Sequence, residues 1–503
     1  MFDQISVALP LVFNAETLIT MLVCAAFGLF VGAVPGLSAT MATAMLVPLT
    51  FYMPPVTAIA AIVTTACMAI FASDIPAALI RIPGTAASAA YVDEMHEYAK
   101  QGRAGRALGI SVTCSCIGGI IGTLILILAA PQLAEVSINF TSFEYFWLAL
   151  LGLSAAVMLG TGSVIKGLLS LALGLLIATV GQDASSGYPR FTFDQPSLIS
   201  GVSFVPALIG MFAIPEVIRT LLGTTQIKRP KSVGNVRNLF DGLGGSLLKY
   251  RVNVVRGSLI GTIIGILPGA GSDIGSWIAY ATAKMRSKTP EKFGTGHDEG
   301  LVEACSANNA ALSGAYVPAL VFGIPGDSIT AIVIGVLYMK GLNPGPMIFV
   351  NNAPQVMAIF LVFLLANLLL LPLGLLAIRV ASKVLVVPKL ILAPLILVFC
   401  IVGSYAIDAS ASGIVIMLVM GVIAYMMEEN GFPVAPTILG IVMGGLVERS
   451  LTTSLIKSDG SMLAFFERPI AGGLGVFTLT LWCLPILLRF LRKPRITMIA
   501  SGS

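Results

Sequence analysis

Residues 317–326 read Val-Pro-Ala-Leu-Val-Phe-Gly-Ile-Pro-Gly, and residues 75–84 read Ile-Pro-Ala-Ala-Leu-Ile-Arg-Ile-Pro-Gly. In both stretches seven positions separate the first proline from the second. A shorter phrase of the same kind precedes each copy, Gly-Ala-Val-Pro-Gly at 32–36 and Gly-Ile-Leu-Pro-Gly at 265–269. An internal repeat of Pro-Gly pairs inside apolar segments is typical of the binding site of a secondary transporter.

The composition excludes an ordinary soluble protein. Of the 503 residues, 57% are hydrophobic and 11% are charged, whereas soluble domains carry about 25% charged residues. Several apolar runs approach or exceed the roughly 18 residues of a membrane-spanning helix, among them 107–131, 353–378 and 470–491. They lack the alternation of a transmembrane β-barrel. We therefore expect an all-α polytopic membrane protein with about 11–12 spans.

The apolar segments of the two halves correspond in order, which predicts two membrane repeats. We place repeat 1 at residues 1–223 and repeat 2 at 257–448. A basic linker, 224–256, separates them, and residues 449–503 supply a loop, one further transmembrane helix and a basic tail. By the positive-inside rule the linker and the C-terminus are cytoplasmic.

Basic residues in the loops predict that the two repeats have opposite orientations. Loop 93–106 is basic, whereas its counterpart 340–352 contains one lysine. Loop 284–299 is also basic, and its counterpart 48–56 has no basic residue. Because basic loops stay on the cytoplasmic side, this pattern favours inverted topology.

The short segments around the Pro-Gly pairs predict re-entrant hairpins and broken helices. Segment 257–283 is too short for two comfortable crossings, so we expect a hairpin with Pro268-Gly269 at its tip. By symmetry 19–53 forms a second hairpin, although its longer arms leave two full spans open. Segments 56–92 and 303–339 would each cross once, broken near their Ile-Pro-Gly.

A break inside a membrane helix is chemically useful. Proline removes a backbone donor, and the freed N–H and C=O groups are costly in hydrocarbon unless they face protein or a watery cavity. The freed N–H end attracts an anion, and the opposite end holds a cation. Four breaks near one depth therefore suit a carboxylate coupled to Na⁺ or H⁺, although Pro-Gly pairs also serve as simple kinks and turns.

The candidate site residues flank these breaks, and the hydroxyls among them have helix capping as an alternative role. For Arg81 the alternatives to a substrate contact are snorkelling and a structural salt bridge with Asp74. The proposed substrate-binding residues are Pro35, Gly36, Ser38, Thr40, Arg81, Pro83, Gly84, Thr85, Pro268, Gly269, Ser272, Asn308, Pro325 and Gly326. The proposed ion-binding residues are Asp273, Asn309, Asp327 and Ser328.

Longer motifs resemble one known family. Residues 268–273 (Pro-Gly-Ala-Gly-Ser-Asp), 293–296 (Phe-Gly-Thr-Gly), 303–310 (Glu-Ala-Cys-Ser-Ala-Asn-Asn-Ala) and 101–109 (Gln-Gly-Arg-Ala-Gly-Arg-Ala-Leu-Gly) are similar to the large membrane subunit of tripartite tricarboxylate transporters. The resemblance covers about residues 18–490. The chain departs from the family at Asp74, where members commonly carry glycine or another small residue.

The resemblance implies a permease subunit in the bacterial inner membrane, working with a small membrane subunit and a periplasmic substrate-binding protein. It implies import of di- or tricarboxylates or related organic acids, driven by a Na⁺ or H⁺ gradient. We expect no metal and no cofactor apart from the coupling ion, and no nucleic-acid partner. The alternatives are an ion channel and a membrane-embedded enzyme, but the sequence has no evident catalytic cluster such as HExxH.

Overall fold

The structure is a computed structural model, and it describes residues 2–35, 37–159, 163–183, 186–222, 242–267, 271–384 and 389–491. Helices make up nearly all of the regular structure. The strands in the described part, β1 (Gly181–Gln182) and β2 (Pro189–Arg190), form one short antiparallel ribbon.

The described helices of the first half are α1 (Phe2–Val12), α2 (Ala15–Ala33), α3 (Ala39–Thr50), α4 (Pro55–Ala72), α5 (Asp74–Ile80), α6 (Val92–Lys100), α7 (Ala104–Ser137), α8 (Ser142–Leu159), α9 (Val164–Ala178) and α10 (Phe204–Leu221). Those of the second half are α11 (Leu243–Lys249), α12 (Arg251–Ile266), α13 (Gly271–Arg286), α14 (Asp298–Phe322), α15 (Ser328–Met339), α16 (Ile348–Asn351), α17 (Ala353–Val384), α18 (Lys389–Asp408), α19 (Ala411–Glu429), α20 (Val434–Lys457), α21 (Ala464–Glu467) and α22 (Pro469–Leu491).

Seven of the described helices are long and apolar enough to cross a membrane. They are α2, α4 continued by α5, α7, α10, α17, α19 and α20. Shorter apolar helices, including α3, α9 and α15, lie between them. The expectation of an all-α, multi-pass membrane protein is therefore confirmed.

In the first half, glycines allow α2 to pack tightly along α4. A β-carbon on Gly28 would lie 2.6 Å from the carbonyl oxygen of Thr65, and one on Gly32 would lie 2.5 Å from that of Ala69. Positions four apart on one helix meet positions four apart on the other, so the two helices run in the same direction. Small residues at this spacing let backbones approach closely when lipid offers no hydrophobic drive for association.

The same contact recurs in the second half between α12 and α14. Gly261 lies against the carbonyl oxygen of Ala307, and Gly265 lies against that of Ala311. The return arm α13 packs on α14 in the reverse order, because Gly275 faces Ala311 while the Ser276 hydroxyl donates to the Ala304 carbonyl at 3.2 Å. Helices α12 and α13 thus form a hairpin whose outer ends lie at the start of α14.

The first hairpin, α2 and α3, opens at the opposite end of the molecule. Its arm α3 joins the start of α4 through the short segment 51–54. Beside that segment, Lys340 donates to the carbonyl of Phe51 at 2.7 Å, which places the start of α4 next to the segment after α15. The far end of α4 and α5 leads to α6, where Tyr98 contacts Asp298 at the start of α14. Helices α4 and α14 therefore run in opposite directions.

The helices form two groups. The first, which we call the hairpin core, contains α2–α5, α7, α12–α15 and α17. The second, the outer group, contains α8–α10 and α18–α20, and each half packs there on the other: α10 contacts α18 and α19, whereas α20 contacts α8 and α9. The groups meet where α3 packs on α10 and α18, and where α15 packs on α10 and α20.

Two stretches differ from the sequence expectation. Helix α12 begins at Arg251 and α11 lies before it, inside the stretch assigned to the linker 224–256; residues 223–241 lie outside the described residues. The stretch expected as loop 93–106 contains α6 and the start of α7. Helix α6 combines polar residues with the buried Met95 and Tyr98, an amphipathic pattern that the charge count concealed.

Candidate functional site

The second break begins where α14 ends at Phe322. Gly323 has φ +67°, and the N–H groups of Gly323 and Ile324 both point to the carbonyl of Pro318. This is a glycine-terminated helix end in which a left-handed residue satisfies orphan carbonyls. The chain then reverses, because a β-carbon on Gly326 would lie 2.8 Å from the β-carbon of Ala315.

The first break repeats this geometry. Helix α5 ends at Ile80, Arg81 has φ +56°, and the N–H groups of Arg81 and Ile82 point to the carbonyl of Pro76. A β-carbon on Gly84 would lie 2.6 Å from that of Ser73. This geometry explains the repeated seven-residue spacing. The first proline supplies the acceptor carbonyl of the helix end, and the second proline lies in the segment that follows the chain reversal.

Each break follows a long helix, whereas the sequence predicted breaks within single crossings. Helix α14 has 25 residues, and α4 with α5 spans 26, so each is about 37–39 Å long and exceeds the roughly 30 Å apolar thickness of a bilayer. Both helices are therefore long enough to cross a bilayer before their breaks. Gly84 and Gly326 then lie against residues eleven positions earlier, so the Pro-Gly pairs re-enter toward the interior.

Each break ends in a reciprocal capping arrangement. Asp327 accepts from the Thr330 N–H at 2.8 Å, and the Thr330 hydroxyl accepts from the Asp327 N–H at 2.8 Å. Thr85 and Ser88 make the same exchange, each bond 3.1 Å long. These are capping boxes. The Asp327–Thr330 box starts α15, whereas the Thr85–Ser88 box starts only a short 3₁₀ turn before α6.

Helix α13 contacts both breaks. At its start, Gly271 has φ +62°, and a β-carbon there would lie 2.9 Å from the β-carbon of Asp327. Further along, the Trp277 indole N–H donates to the carbonyl of Ala86 at 2.9 Å. The second hairpin therefore brings the two Ile-Pro-Gly segments into one region.

The first hairpin tip is also ordered by capping. Ser38 accepts from the N–H of Met41 at 3.1 Å and starts α3, while the Thr40 carbonyl accepts from the Thr43 hydroxyl. Pro35 is buried. The other tip residues predicted as ligands, Gly36, Pro268 and Gly269, lie outside the described residues, as do the side chains of Ser272 and Asp273.

The two asparagines of α14 have different surroundings. Asn308 donates to the Tyr91 hydroxyl at 3.0 Å. Asn309 donates weakly to the carbonyl of Cys67 at 3.5 Å, and its Oδ1 is buried with no partner among the described residues. A buried, unpaired amide oxygen is costly and invites a ligand or ion. Ser328 is half-buried at the first position of α15.

Arg81 pairs with Asp93, and the alternative of a salt bridge with Asp74 is wrong. Its Nη2 lies 2.7 Å from Oδ1 of Asp93, and both side chains are 59% exposed. An ion pair this exposed contributes about 0–1 kcal/mol, so it holds Arg81 only loosely. Pro83 is exposed beside it, and Pro325 and Gly326 are buried in the second break.

A cleft of about 740 Å³ opens at the end of α14. Phe322 and Gly323 of the second break line it, together with Tyr338, Arg449 and Ser450. Arg449 lies in α20 of the outer group, so this cleft lies between the two helix groups.

Comparison with known proteins identifies the family. The tripartite tricarboxylate transporter TctA family matches residues 18–439. The chain belongs to this family. An uncharacterized 52.8 kDa protein in the TAR-I ttuC' 3' region of Agrobacterium vitis is 36% identical over 448 residues, which are 89% of this chain and 88% of the relative. An uncharacterized protein in the TAR-II ttuC' 3' region of the same organism is 34% identical over 228 residues, 45% of this chain and 94% of the relative. No solved structure matches.

Glu94 explains one of the motifs of this TctA-family protein, and sequence reasoning missed it. Its buried carboxylate accepts the backbone N–H groups of Gly294, Gly296 and His297 at 2.6–2.8 Å and the Tyr280 hydroxyl at 3.0 Å. The Phe-Gly-Thr-Gly stretch is therefore a backbone cradle for a carboxylate. Glu94 fastens the end of the second hairpin to α6.

Arg106, from the Gln-Gly-Arg-Ala-Gly-Arg motif of the TctA-family protein, also has a structural role, because it forms an ion pair with Asp298. It lies 2.7 Å from Oδ2 of Asp298, and Ser246 and Tyr98 also donate to that carboxylate. Burial raises the pKa of the Tyr98 phenol, and the hydrogen bond to Asp298 raises it further. Tyr98 therefore keeps its proton and remains a donor at neutral pH.

Asp74 lies at the junction of α4 and α5, fully buried. The Tyr91 hydroxyl donates to its Oδ1 at 2.8 Å, and the Ser111 hydroxyl donates to its Oδ2 at 2.5 Å. The sequence singled out Asp74 as a departure from the family but gave no sign of these partners, because they come from α7 and the segment before α6.

Proposed function

We propose that this chain is the permease subunit of a binding-protein-dependent secondary transporter that imports di- or tricarboxylates or related organic acids. The observation that carries the proposal is the meeting of two re-entrant Pro-Gly segments with one hairpin, through Gly271 at Asp327 and Trp277 at Ala86. Paired re-entrant segments in an apolar protein are built to expose backbone dipoles to a ligand.

The substrate site lies between the breaks and the hairpin tips. Backbone N–H groups around Pro83-Gly84 and Pro325-Gly326 face the carboxylates, and Asn308 and Arg81 add side-chain donors. Arg81 is suited to this because its weak, exposed pair with Asp93 is easily exchanged for a substrate carboxylate. Asp273, Asn309, Asp327 and Ser328 are the proposed ligands of the coupling ion, Na⁺ or H⁺, and the unpartnered Oδ1 of Asn309 supports this assignment.

The two halves have inverted topology in the bacterial inner membrane. The opposite directions of α4 and α14 and the alternating loop charges both favour this arrangement. The end that carries Asp298 is cytoplasmic, because loop 284–299 is basic, and the C-terminal tail lies on the same side. A small membrane subunit and a periplasmic substrate-binding protein complete the transporter, as the family implies.

Transport in this proposal moves the hairpin core against the outer group. The site belongs to the core, and the outer group is held together by its own exchanged packing of the two halves. The cleft beside Gly323 and Arg449 lies between the groups, where such a motion opens and closes access.

Uptake of labelled succinate and citrate into proteoliposomes tests the function. The permease is reconstituted with its small subunit and supplied with the binding protein, under an imposed Na⁺ or H⁺ gradient. We expect saturable uptake that needs the binding protein and one of the gradients. Uptake that is unaffected by both gradients would exclude secondary transport, and flux without saturation would favour a channel.

A further inference from the structure

Four acids of the described chain are almost completely buried: Asp74, Glu94, Glu144 and Glu303. A buried carboxylate is strongly disfavoured unless charge or several hydrogen bonds compensate it. Glu94 has its three backbone N–H donors. The other two glutamates have arginine partners.

Glu303 is paired with Arg256, whose Nε donates to Oε1 at 2.7 Å, and Asn253 donates to Oε2 at 2.8 Å. Glu144 accepts from Arg468 at 2.7 Å and from the N–H of Thr141 at 2.7 Å. Both carboxylates therefore have a charged partner.

Asp74 lacks such compensation. In the described part of the chain no ion pair includes it, and its donors are the neutral hydroxyls of Tyr91 and Ser111. The nearest arginine in sequence, Arg81, is turned to Asp93. The site is suited to a carboxyl group that carries a proton for part of the time.

The partners of Asp74 accommodate both protonation states. The Tyr91 oxygen accepts from Asn308, so its own hydrogen points to Asp74 in either state. The Ser111 hydroxyl donates to the ionised carboxylate. When Asp74 is protonated, the same hydroxyl oxygen can accept from it.

Asp74 is also coupled to the first break. The preceding residue, Ser73, is the one against which Gly84 packs, and its hydroxyl lies 3.4 Å from that of Thr85. We propose that Asp74 binds and releases one proton in each transport cycle, which makes H⁺ a coupling ion. The carboxylate takes the proton on one side of the membrane and gives it up on the other. This inference rests on the proposed transport function.

Other titratable groups face Asp74 and its helix, and a test must distinguish their titration from that of Asp74. Tyr91 and Cys305 are its immediate neighbours, and Cys114 of α7 lies next to Cys305. On α6, Nδ1 of His96 lies 3.2 Å from the carbonyl of Ala78 in α5. His96 is an ionisable side chain in direct contact with α5. The variant His96→Gln is therefore the matched control.

The first test needs no substrate. Infrared difference spectra of the reconstituted protein between pH 5 and pH 10 report the C=O stretch of protonated carboxylic acids. We expect a titrating band that Asp74→Asn removes and His96→Gln leaves in place. Ser111→Ala removes a donor to the ionised form, so the midpoint of the band moves up by about 0.5–1 pH unit. A band that is unchanged in Asp74→Asn, or one that does not titrate, overturns the proposal.

The second test uses transport. With a proton gradient, we expect Asp74→Asn to lose at least tenfold in accumulation of labelled citrate or succinate while retaining exchange of internal for external substrate. Proton-driven accumulation equal to that of the unmodified protein would overturn the inference. If the unmodified protein transported neither acid, the proposed function would fail, while the infrared result would still decide whether Asp74 titrates. Should Asp74→Asn fail to fold, the Ser111→Ala shift decides, and an unmoved midpoint counts against the proposal.

Discussion

At the residue scale, each of the two breaks contains one glycine that has no space beside it for a side chain. In the second break a β-carbon on Gly326 would come within 2.8 Å of Ala315 Cβ and 2.9 Å of its Cα. Neither neighbour can move away, because Ala315 is part of the buried helix α14. The re-entrant segment therefore requires glycine at position 326.

Gly326→Ala should destabilise the protein and abolish transport. Forcing one methyl group into a packed interior costs about 1–3 kcal/mol. Here the re-entrant segment that carries part of the proposed substrate site would have to shift. We expect a lower thermal midpoint in detergent and a loss of uptake. Gly473→Ala is the control, because a β-carbon there meets nothing within 4 Å. Wild-type uptake by Gly326→Ala would show that the close approach is not needed for function.

Arg81 occupies a position where the other break has glycine. A left-handed conformation costs a non-glycine residue about 1 kcal/mol or more, and the exposed pair with Asp93 returns little of this. The strain is understandable if the guanidinium is needed for a substrate carboxylate.

Arg81→Gly should therefore separate stability from function. We expect an equal or higher thermal midpoint, together with a KM for the carboxylate that rises at least tenfold. Lys100→Gln is the matched control, since it removes another exposed cation, paired with Glu97 at the same end of the molecule. A lower stability with an unchanged KM would mean that Arg81 is purely structural.

At the element scale, helices α6 and α13 are tied together by Glu94. The variant Glu94→Gln keeps one acceptor oxygen but turns an NH₂ group toward backbone N–H donors. Each donor left unpaired costs about 1–3 kcal/mol. We expect a lower thermal midpoint and faster trypsin cleavage within 284–292, which contains four basic residues. Glu97→Gln, on the same helix but partly exposed, should leave cleavage unchanged; equal cleavage of both variants would contradict the clamp.

At the two breaks, the sequence predicted only those features that depend on local backbone chemistry. The ends of α5 and α14 could be placed because proline and glycine act locally on the backbone. The reversal of the chain could not, since it depends on Gly84 meeting Ser73 and Gly326 meeting Ala315. The alternative of an Arg81–Asp74 salt bridge is wrong for the same reason, because the observed partner, Asp93, comes after the reversal.

At the scale of the whole molecule, the same contacts occur in both halves. Glycines pack α2 on α4 and α12 on α14, and the outer helices exchange partners between the halves. The division into a hairpin core and an outer group was not visible in the sequence, because it depends on which apolar faces meet, and apolar segments of similar composition do not reveal that.

The boundary between the two groups provides the last prediction. Pro48 of α3 in the core packs directly against Gly403 of α18 in the outer group. In a background without native cysteines, a disulfide between one cysteine in α3 and one in α18, placed beside this contact where their β-carbons lie about 3.5–4.5 Å apart, would lock the groups together. We expect oxidation to stop uptake and reductant to restore it, because the site cannot change sides while the core is fixed.

The matched control is a cysteine pair at the same separation that joins α10 to α19 inside the outer group, where the two helices pack along each other. Its oxidation should leave uptake intact, since both helices move together. If complete cross-linking of α3 to α18 also left uptake intact, the core would not slide against the outer group. Alternating access would then have to arise within the core, from the hairpins and the two re-entrant Pro-Gly segments alone.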